Sequence, residues 1–182
     1  MENKAIPQLY WTLLTHEDWN IHLAATPAGL CFAGSQNQSM EELALWAKTK
    51  LPGSVLIQND QLLRPYKDEL IEYFQGKRTS FTVPFDYHGT DFQLKVWRAL
   101  NDIPYGQTKS YSDIANLIQR PAAVRAVGTA IGANPILITI PCHRVIGKNG
   151  SLTGYRGGME MKKKLLHLES EAVSREGVES FA

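Results

Sequence analysis

A chain of 182 residues, 43% hydrophobic and 20% charged, has enough apolar surface for a proper core, in one domain or two small ones. No segment has the length of a membrane span, and the opening MENKAIPQLYWTLL lacks the basic start and apolar core of a secretory signal, so a cytoplasmic protein is expected. The net charge of +1 argues against a uniformly basic nucleic-acid binder, yet residues 1–88 carry 7 basic and 10 acidic side chains (−3) and residues 89–182 carry 12 and 8 (+4). That asymmetry turns the second half toward phosphates. Cys31 and Cys142 are too few for a Cys-His zinc site, and a disulfide is not expected in an intracellular chain.

Alternating apolar residues predict strands near Leu9–Leu14, Asn20–Ala25 and Leu30–Gly34. Ser39 and Glu42 read as a capping box before a helix through Trp46. A second helix places Tyr66, Leu70, Tyr73 and Phe74 on one face and stops at Gly76. No chemical constellation stands out in this half; His16, His22, Trp11, Trp19 and Trp46 read as core or surface residues. The aperiodic, proline-containing stretch from Lys77 to His88 reads as a junction between a domain of residues 1–88 and one of residues 89–182.

Three short helices follow. Thr90 and Gln93 cap the first, with Phe92, Val96, Trp97 and Leu100 inward; Ser110 or Ser112 starts the second, which runs through Ile118. Pro121 opens the third, which buries Ala123, Val127, Ala130 and Ile131, ends before Pro135 and leaves Arg125 on a small-residue outer face. This is the pattern of a helix-turn-helix unit, and Asn149-Gly150 after it signals a hairpin, hence a wing. Gly154, Gly157 and Gly158 precede a last helix from Met159 to about Glu169, on which Lys162, Lys163 and Lys164 read as a solvated face.

The chemistry concentrates at Pro141-Cys142-His143-Arg144-Val145, directly after the apolar run Ile136–Ile140, read as a buried strand that meets solvent at the cysteine. A thiol is mostly protonated near neutrality, so a nucleophilic cysteine needs access, a proton acceptor and nearby positive charge. His143 and Arg144 are the candidates.

Residues Ile140–Val145 resemble the active-site signature of the 6-O-alkylguanine-DNA alkyltransferases, the methylated-DNA–protein-cysteine methyltransferases. Tyr111, Arg125-Ala126-Val127-Gly128, Asn134-Pro135, Tyr155, Gly157-Gly158, Lys162 and Glu169 sit at the offsets from Cys142 that this family pattern requires. The resemblance is close over residues 90–169 and general in the first half. It implies an α+β protein: a small ribonuclease-H-like N-terminal domain followed by a winged-helix-like C-terminal domain.

The implied activity is DNA repair without a cofactor, and with Cys31 the only cysteine in the first half no metal is expected there. A helix enters the minor groove of duplex DNA, 6-O-methylguanine and also 4-O-methylthymine are flipped out, and the alkyl group moves irreversibly to the protein in a single turnover. By the same resemblance Cys142 is the acceptor, His143 takes the thiol proton through a water, Glu169 orients His143, and Tyr111 donates to the leaving guanine. Arg125 would fill the gap in the duplex. Asn134 would tie the recognition helix to the active-site segment, and the Cys142 and Val145 carbonyls and the Arg156 amide would meet the base. Tyr155, Gly157 and Lys162 complete the expected substrate-binding set. Arg156 departs from the small residue usual there and bears on pocket width. A monomer is expected. A lesion binder of the same fold would lack Cys142, a thiol hydrolase would turn over repeatedly, and an architectural winged helix would need neither Cys142 nor Glu169.

Overall fold

The computed structural model describes residues 5–179; residues 1–4 and 180–182, at the outer ends of the two expected domains, lie outside them. The first half builds a sheet from β1 (Gln8–His16), β2 (Trp19–Thr26), β3 (Gly29–Ala33) and β4 (Val55–Gln58), in the order β3-β2-β1-β4. The first three strands form an antiparallel meander, while β4 lies parallel to β1 after a crossover through α1 (Met40–Lys50). Strand β4 is absent from the sequence expectations because its four residues are only half-buried at the edge and show no clear alternation.

One face of the sheet packs Leu9, Ala24, Cys31 and Phe32 against Leu43 and Ala47 of α1. Leu14, Ile21, Leu23, Leu30 and Ala33 belong to the larger core, with Tyr66, Leu70 and Tyr73 of α2 (Arg64–Phe74) and the helices of the second half. Ser39 caps α1 through the Glu41 amide, 3.3 Å away, but the expected box does not close. Glu42 turns instead to the Ser35 amide and to Arg156, each at 2.9 Å.

The junction does not hang free between the halves. It runs alongside β3: Leu30 donates to Pro84 O at 2.9 Å, and Asp86 donates to Leu30 O at 2.9 Å. Residues Ile136 and Leu137 also meet the β3 strand, with Ala33 donating to Pro135 O at 3.0 Å and Leu137 donating to Ala33 O at 3.1 Å. Both segments thus use backbone groups that an edge strand would otherwise present unpaired.

The second half contains α3 (Asp91–Asn101), α4 (Tyr111–Leu117), α5 (Val124–Gly132) and the long α6 (Met159–Glu179). Thr90 with Gln93 and Ser110 with Asp113 each form a complete capping box. Trp97 is buried on α3 and donates its indole N–H to Ala130 O at 2.8 Å, locking α5 across α3. The opposite face of α5, with Arg125, Ala126 and Thr129, stays exposed. Pro121 lies in the preceding turn, because the helix begins only after Ala123.

Two further expectations are corrected. Asn149-Gly150 makes a tight turn, with Gly147 donating to Ser151 O at 2.8 Å, but β6 (Val145–Ile146) pairs in parallel with β5 (Lys109–Ser110). The wing is a turn and loop, since among the described residues no strand follows to complete a hairpin. The run Ile136–Ile140 is likewise not a strand. Only Ile136 makes a bridge, and Ile138 has φ +71°, a left-handed conformation that costs a β-branched residue ~1–3 kcal/mol. Burial of all four apolar side chains in the core, at 0% exposure, holds the segment in that shape. No helix among the described residues is long and apolar enough to cross a membrane.

Thr90 supplies the N-terminal cap of the helix that carries Trp97. Thr90→Ala is expected to lower unfolding stability by about 1 kcal/mol, measured by denaturant titration. An unchanged midpoint would show that the box adds nothing to the packing of α3.

Candidate active site

Cys142, His143 and Arg144 occupy one 3-10 turn started by Pro141, and all three are buried. The tight turn sends successive side chains in different directions. Asn134, fully buried after α5, donates its amide Nδ2 to the Cys142 sulfur at 3.1 Å and to Ile140 O at 3.2 Å, while its Oδ1 accepts from Ile136 N at 2.9 Å. One side chain therefore joins the end of the exposed helix to the sulfur. Cys142 is only 3% exposed, and burial raises its thiol pKa, against the lowering effect of Asn134 and the more distant Arg156 and Lys162. The resting sulfur is a thiol.

His143 is fully buried, with Nε2 2.8 Å from Glu169 Oε1. Burial pushes the imidazole down, outweighing the pull of Glu169, so the ring is neutral. Burial would raise Glu169, but hydrogen bonds from His143 and Arg144 reverse this and hold it at about 2. An ionised carboxylate accepts only, so Nε2 carries the ring proton and Nδ1 the lone pair. Nδ1 is buried and has no hydrogen-bond partner among the described residues.

Arg144 does not lend charge to the neighbouring sulfur as its place in the sequence implies. Its guanidinium grips Glu169, with Nη2 2.8 Å from Oε1 and Nε 3.0 Å from Oε2, donates to Ile103 O at 2.7 Å, and lies over the Tyr105 ring. Tyr73, from α2 in the first half, donates its hydroxyl to Glu169 Oε1 at 2.7 Å, and the Gly106 amide donates to Oε2 at 3.2 Å. Gly106 has φ +77° and packs so close to α6 that a Cβ would stand 2.5 Å from Val173 Cγ2. Tyr73 reads as core in the sequence, and its spacing carries no sign of this partner.

Lys162 is not on a solvated face. It is 0% exposed, and Nζ donates to Val145 O at 2.6 Å and Thr153 O at 3.0 Å. The spacing of Lys162, Leu165 and Glu169 marks one helical stripe, a signal that outranks the run of three lysines. Lys163 is exposed, whereas Lys164 lies 3.9 Å over the Trp19 ring and pairs with Asp18 at 2.6 Å.

Tyr111 places its hydroxyl 2.8 Å from Thr153 Oγ1, which closes the loop over the start of α4. Tyr155 buries a hydroxyl that has no hydrogen-bond partner among the described residues, and its pKa is driven well up by burial and then by Cys142. A Cβ on Gly157 would stand 2.5 Å from Met161 Sδ and 2.7 Å from Tyr155 Cε1, so that position admits little but glycine. Val145 is fully buried, with its carbonyl turned to Lys162. The Arg156 side chain turns toward the sheet, with its guanidinium donating to Asn134 O, Ala33 O and Glu42. Arg125 stands apart from the buried cluster, exposed on α5.

Two family models match the chain: the ribonuclease-like domain of 6-O-methylguanine DNA methyltransferase over residues 9–87, and the DNA binding domain of the same family over residues 91–171. An inducible methylated-DNA–protein-cysteine methyltransferase of Bacillus subtilis is 65% identical over 168 residues, covering 92% of this chain and 94% of that one. The chain belongs to the methylated-DNA–protein-cysteine methyltransferase family. Among solved members, the Mycobacterium tuberculosis O6-methylguanine methyltransferase aligns with TM-score 0.78 at 39% identity, over 90% of this chain and 94% of that one. The Mycobacterium tuberculosis OGT crystallised in complex with DNA aligns with TM-score 0.75 over the same shares. The methyltransferase fold is accordingly α+β, a mixed-sheet domain joined to a helical one.

The buried carboxylate and imidazole make stability depend on pH in a definite direction. His143 is depressed from 6.5, so its neutral form adds stability above that pH and begins to lose it below. Glu169 is depressed from 4.5 to about 2, so its contribution is complete above pH 4.5 and disappears as pH falls toward 2. Glu169→Gln is expected to be less stable than the wild type at neutral pH, with the gap closing across that lower window in denaturant titrations. A gap constant down to pH 2 would mean that Glu169 is not ionised in its buried position.

Proposed function

We propose that this chain repairs duplex DNA by taking the methyl group of 6-O-methylguanine onto Cys142, in one irreversible transfer that consumes the protein. The observation that carries the reading is the buried Cys142 thiol beside a neutral His143 whose tautomer is set by an ionised Glu169. Within a family named for methyl transfer from DNA to a protein cysteine, that arrangement supplies an acceptor and a base.

The proton leaves Sγ for His143 Nδ1 through one water, and Glu169 stabilises the resulting imidazolium as the carboxylate does in a catalytic triad. The sulfur lone pair forms the S–C bond as the C–O bond to guanine breaks. Electron density passes into the guanine ring, and Tyr111, already oriented by Thr153, donates its hydroxyl hydrogen bond there. The Cys142 and Val145 carbonyls accept from the guanine amino group. Val145 O keeps a second lone pair for this after binding Lys162. The Arg156 amide meets the base oxygen, and Tyr155 and Gly157 wall the recess. Asn134 holds the sulfur and favours the thiolate as it forms.

Helix α5 enters the minor groove. Its outer face carries Ala126, Thr129 and Gly132, small enough for the sugar-phosphate walls to approach. Arg125 occupies the space of the flipped base, which stays cheaper to extrude when damaged and poorly paired. The same reading divides the chain at residues 88 and 89, in line with family models matched on either side. It takes the protein as a cytoplasmic monomer that also accepts 4-O-methylthymine.

With methylated duplex in excess, label is expected to reach one methyl group per molecule and stop, with Cys142→Ala inert and Cys31→Ala still competent. Cys31 is buried in the sheet core and its thiol is pushed up by burial. Continued turnover, or label on Cys31, would overturn the acceptor assignment. Arg125→Ala is expected to slow repair of duplex by about tenfold or more while reaction with the free alkylated base stays within about twofold. Equal losses on both substrates would remove Arg125 from base flipping.

A further inference from the structure

Arg156 sits in the loop between the turn and α6, with its backbone beside the proposed alkyl pocket and its side chain reaching the other half of the protein. Its Nε donates to Asn134 O at 2.9 Å, and Nη2 donates to Ala33 O at 3.0 Å and Pro135 O at 3.2 Å. Nη1 donates to Glu42 Oε1 at 2.9 Å, and the guanidinium carbon lies 5.4 Å from the centroid of the Phe32 ring. The Arg156 carbonyl accepts from Ser35 Oγ at 3.4 Å, and Glu42 also receives the Ser35 amide at 2.9 Å. Since every nitrogen of the fork is engaged inside the protein and its charge is matched by Glu42, this arginine is not a free cation for DNA phosphate.

The acceptors matter because of what they hold. Asn134 O is on the residue whose side chain binds the Cys142 sulfur, while Arg156 itself adjoins Tyr155 and Gly157, which wall the recess in the proposed reading. One planar group thus spans the pocket from outside and fastens both walls to β3 and to the first turn of α1. Lys could replace the charge but not the fork. A wall pinned in this way cannot withdraw to admit a larger group.

Building on the alkyl-transfer reading, the geometry points to the Arg156–Glu42 latch as the specificity-determining element of this chain: it holds the pocket at methyl width and excludes bulkier alkyl groups. Arg156 and Glu42 act as positioning residues, through the loop and not on the reacting atoms.

The test compares single-turnover rates on the same duplex carrying either 6-O-methylguanine or 6-O-benzylguanine. Glu42→Gln is expected to raise the benzyl-to-methyl rate ratio by about tenfold or more, through faster benzyl transfer, with the methyl rate within about twofold of wild type. A ratio that stays fixed, or rates that fall together, would overturn the latch and leave Arg156 a general structural contact. Should Glu42→Gln fail to fold, Glu42→Asp carries the same comparison, because it keeps the charge and shortens the reach to Arg156. Amide hydrogen exchange of residues 154–158 separates this proposal from the reading beneath it. Faster exchange in the variant supports the latch even where the wild type transfers no methyl group, a result that would defeat only the alkyl-transfer reading. Unchanged exchange defeats the latch.

Discussion

One buried carboxylate organises this molecule. Glu169 lies on α6 with its side chain 1% exposed and receives five hydrogen-bond donors: the Tyr73 hydroxyl, the Gly106 amide, His143 Nε2, and Nε and Nη2 of Arg144. A carboxylate taken out of water without such partners would be protonated or would oppose folding. The donors come from α2, the turn after α3 and the 3-10 turn, so satisfying one charge brings together three separate segments, one of them in the other half. The arrangement also decides which groups can act. Burial keeps the His143 ring neutral against the pull of Glu169, and Arg144, which pairs with Glu169, also opposes its protonation.

The sulfur is prepared by the opposite principle. Burial keeps Cys142 protonated, and Asn134 offers one donor that gains strength as negative charge develops. A thiol held this way is a weak target for stray oxidants, since reactivity follows the thiolate and its exposure. It becomes a nucleophile when an electrophilic carbon and a proton acceptor are both in place.

The helices were the most legible part of the sequence, because Thr90 with Gln93 and Ser110 with an acid three residues later are local signals. The three-strand meander was legible through alternation. Cys142 and His143 stand out by their chemistry, Asn134 and Glu169 only through the family resemblance, and the structure brings all four together. What was hidden is non-local. Tyr73 shows only a helical apolar face, Glu42 imitates a capping box while serving Arg156, and Arg144 sits beside the cysteine in sequence but turns from it in space. Lys162 was masked by its two lysine neighbours, although the Leu165 and Glu169 stripe placed it inside. The Ile136–Ile140 run misled for another reason: β-branched residues favour strands, and burial between two halves overrode that preference.

That irregular segment connects these features. Had Ile136–Ile140 continued as a strand, the Asn134 amide would not reach both Ile140 O and the Cys142 sulfur, which requires the chain to fold back within eight residues. The left-handed Ile138 makes the fold-back, and the apolar core opposes its relaxation. Strain retained at a site is commonly matched to a need for motion during turnover. A protein that acts once has no product to expel from its sulfur and no reset to perform. Its site can be fixed by the same buried groups that stabilise the fold, with motion left to the DNA, and stability and activity then depend on the same residues.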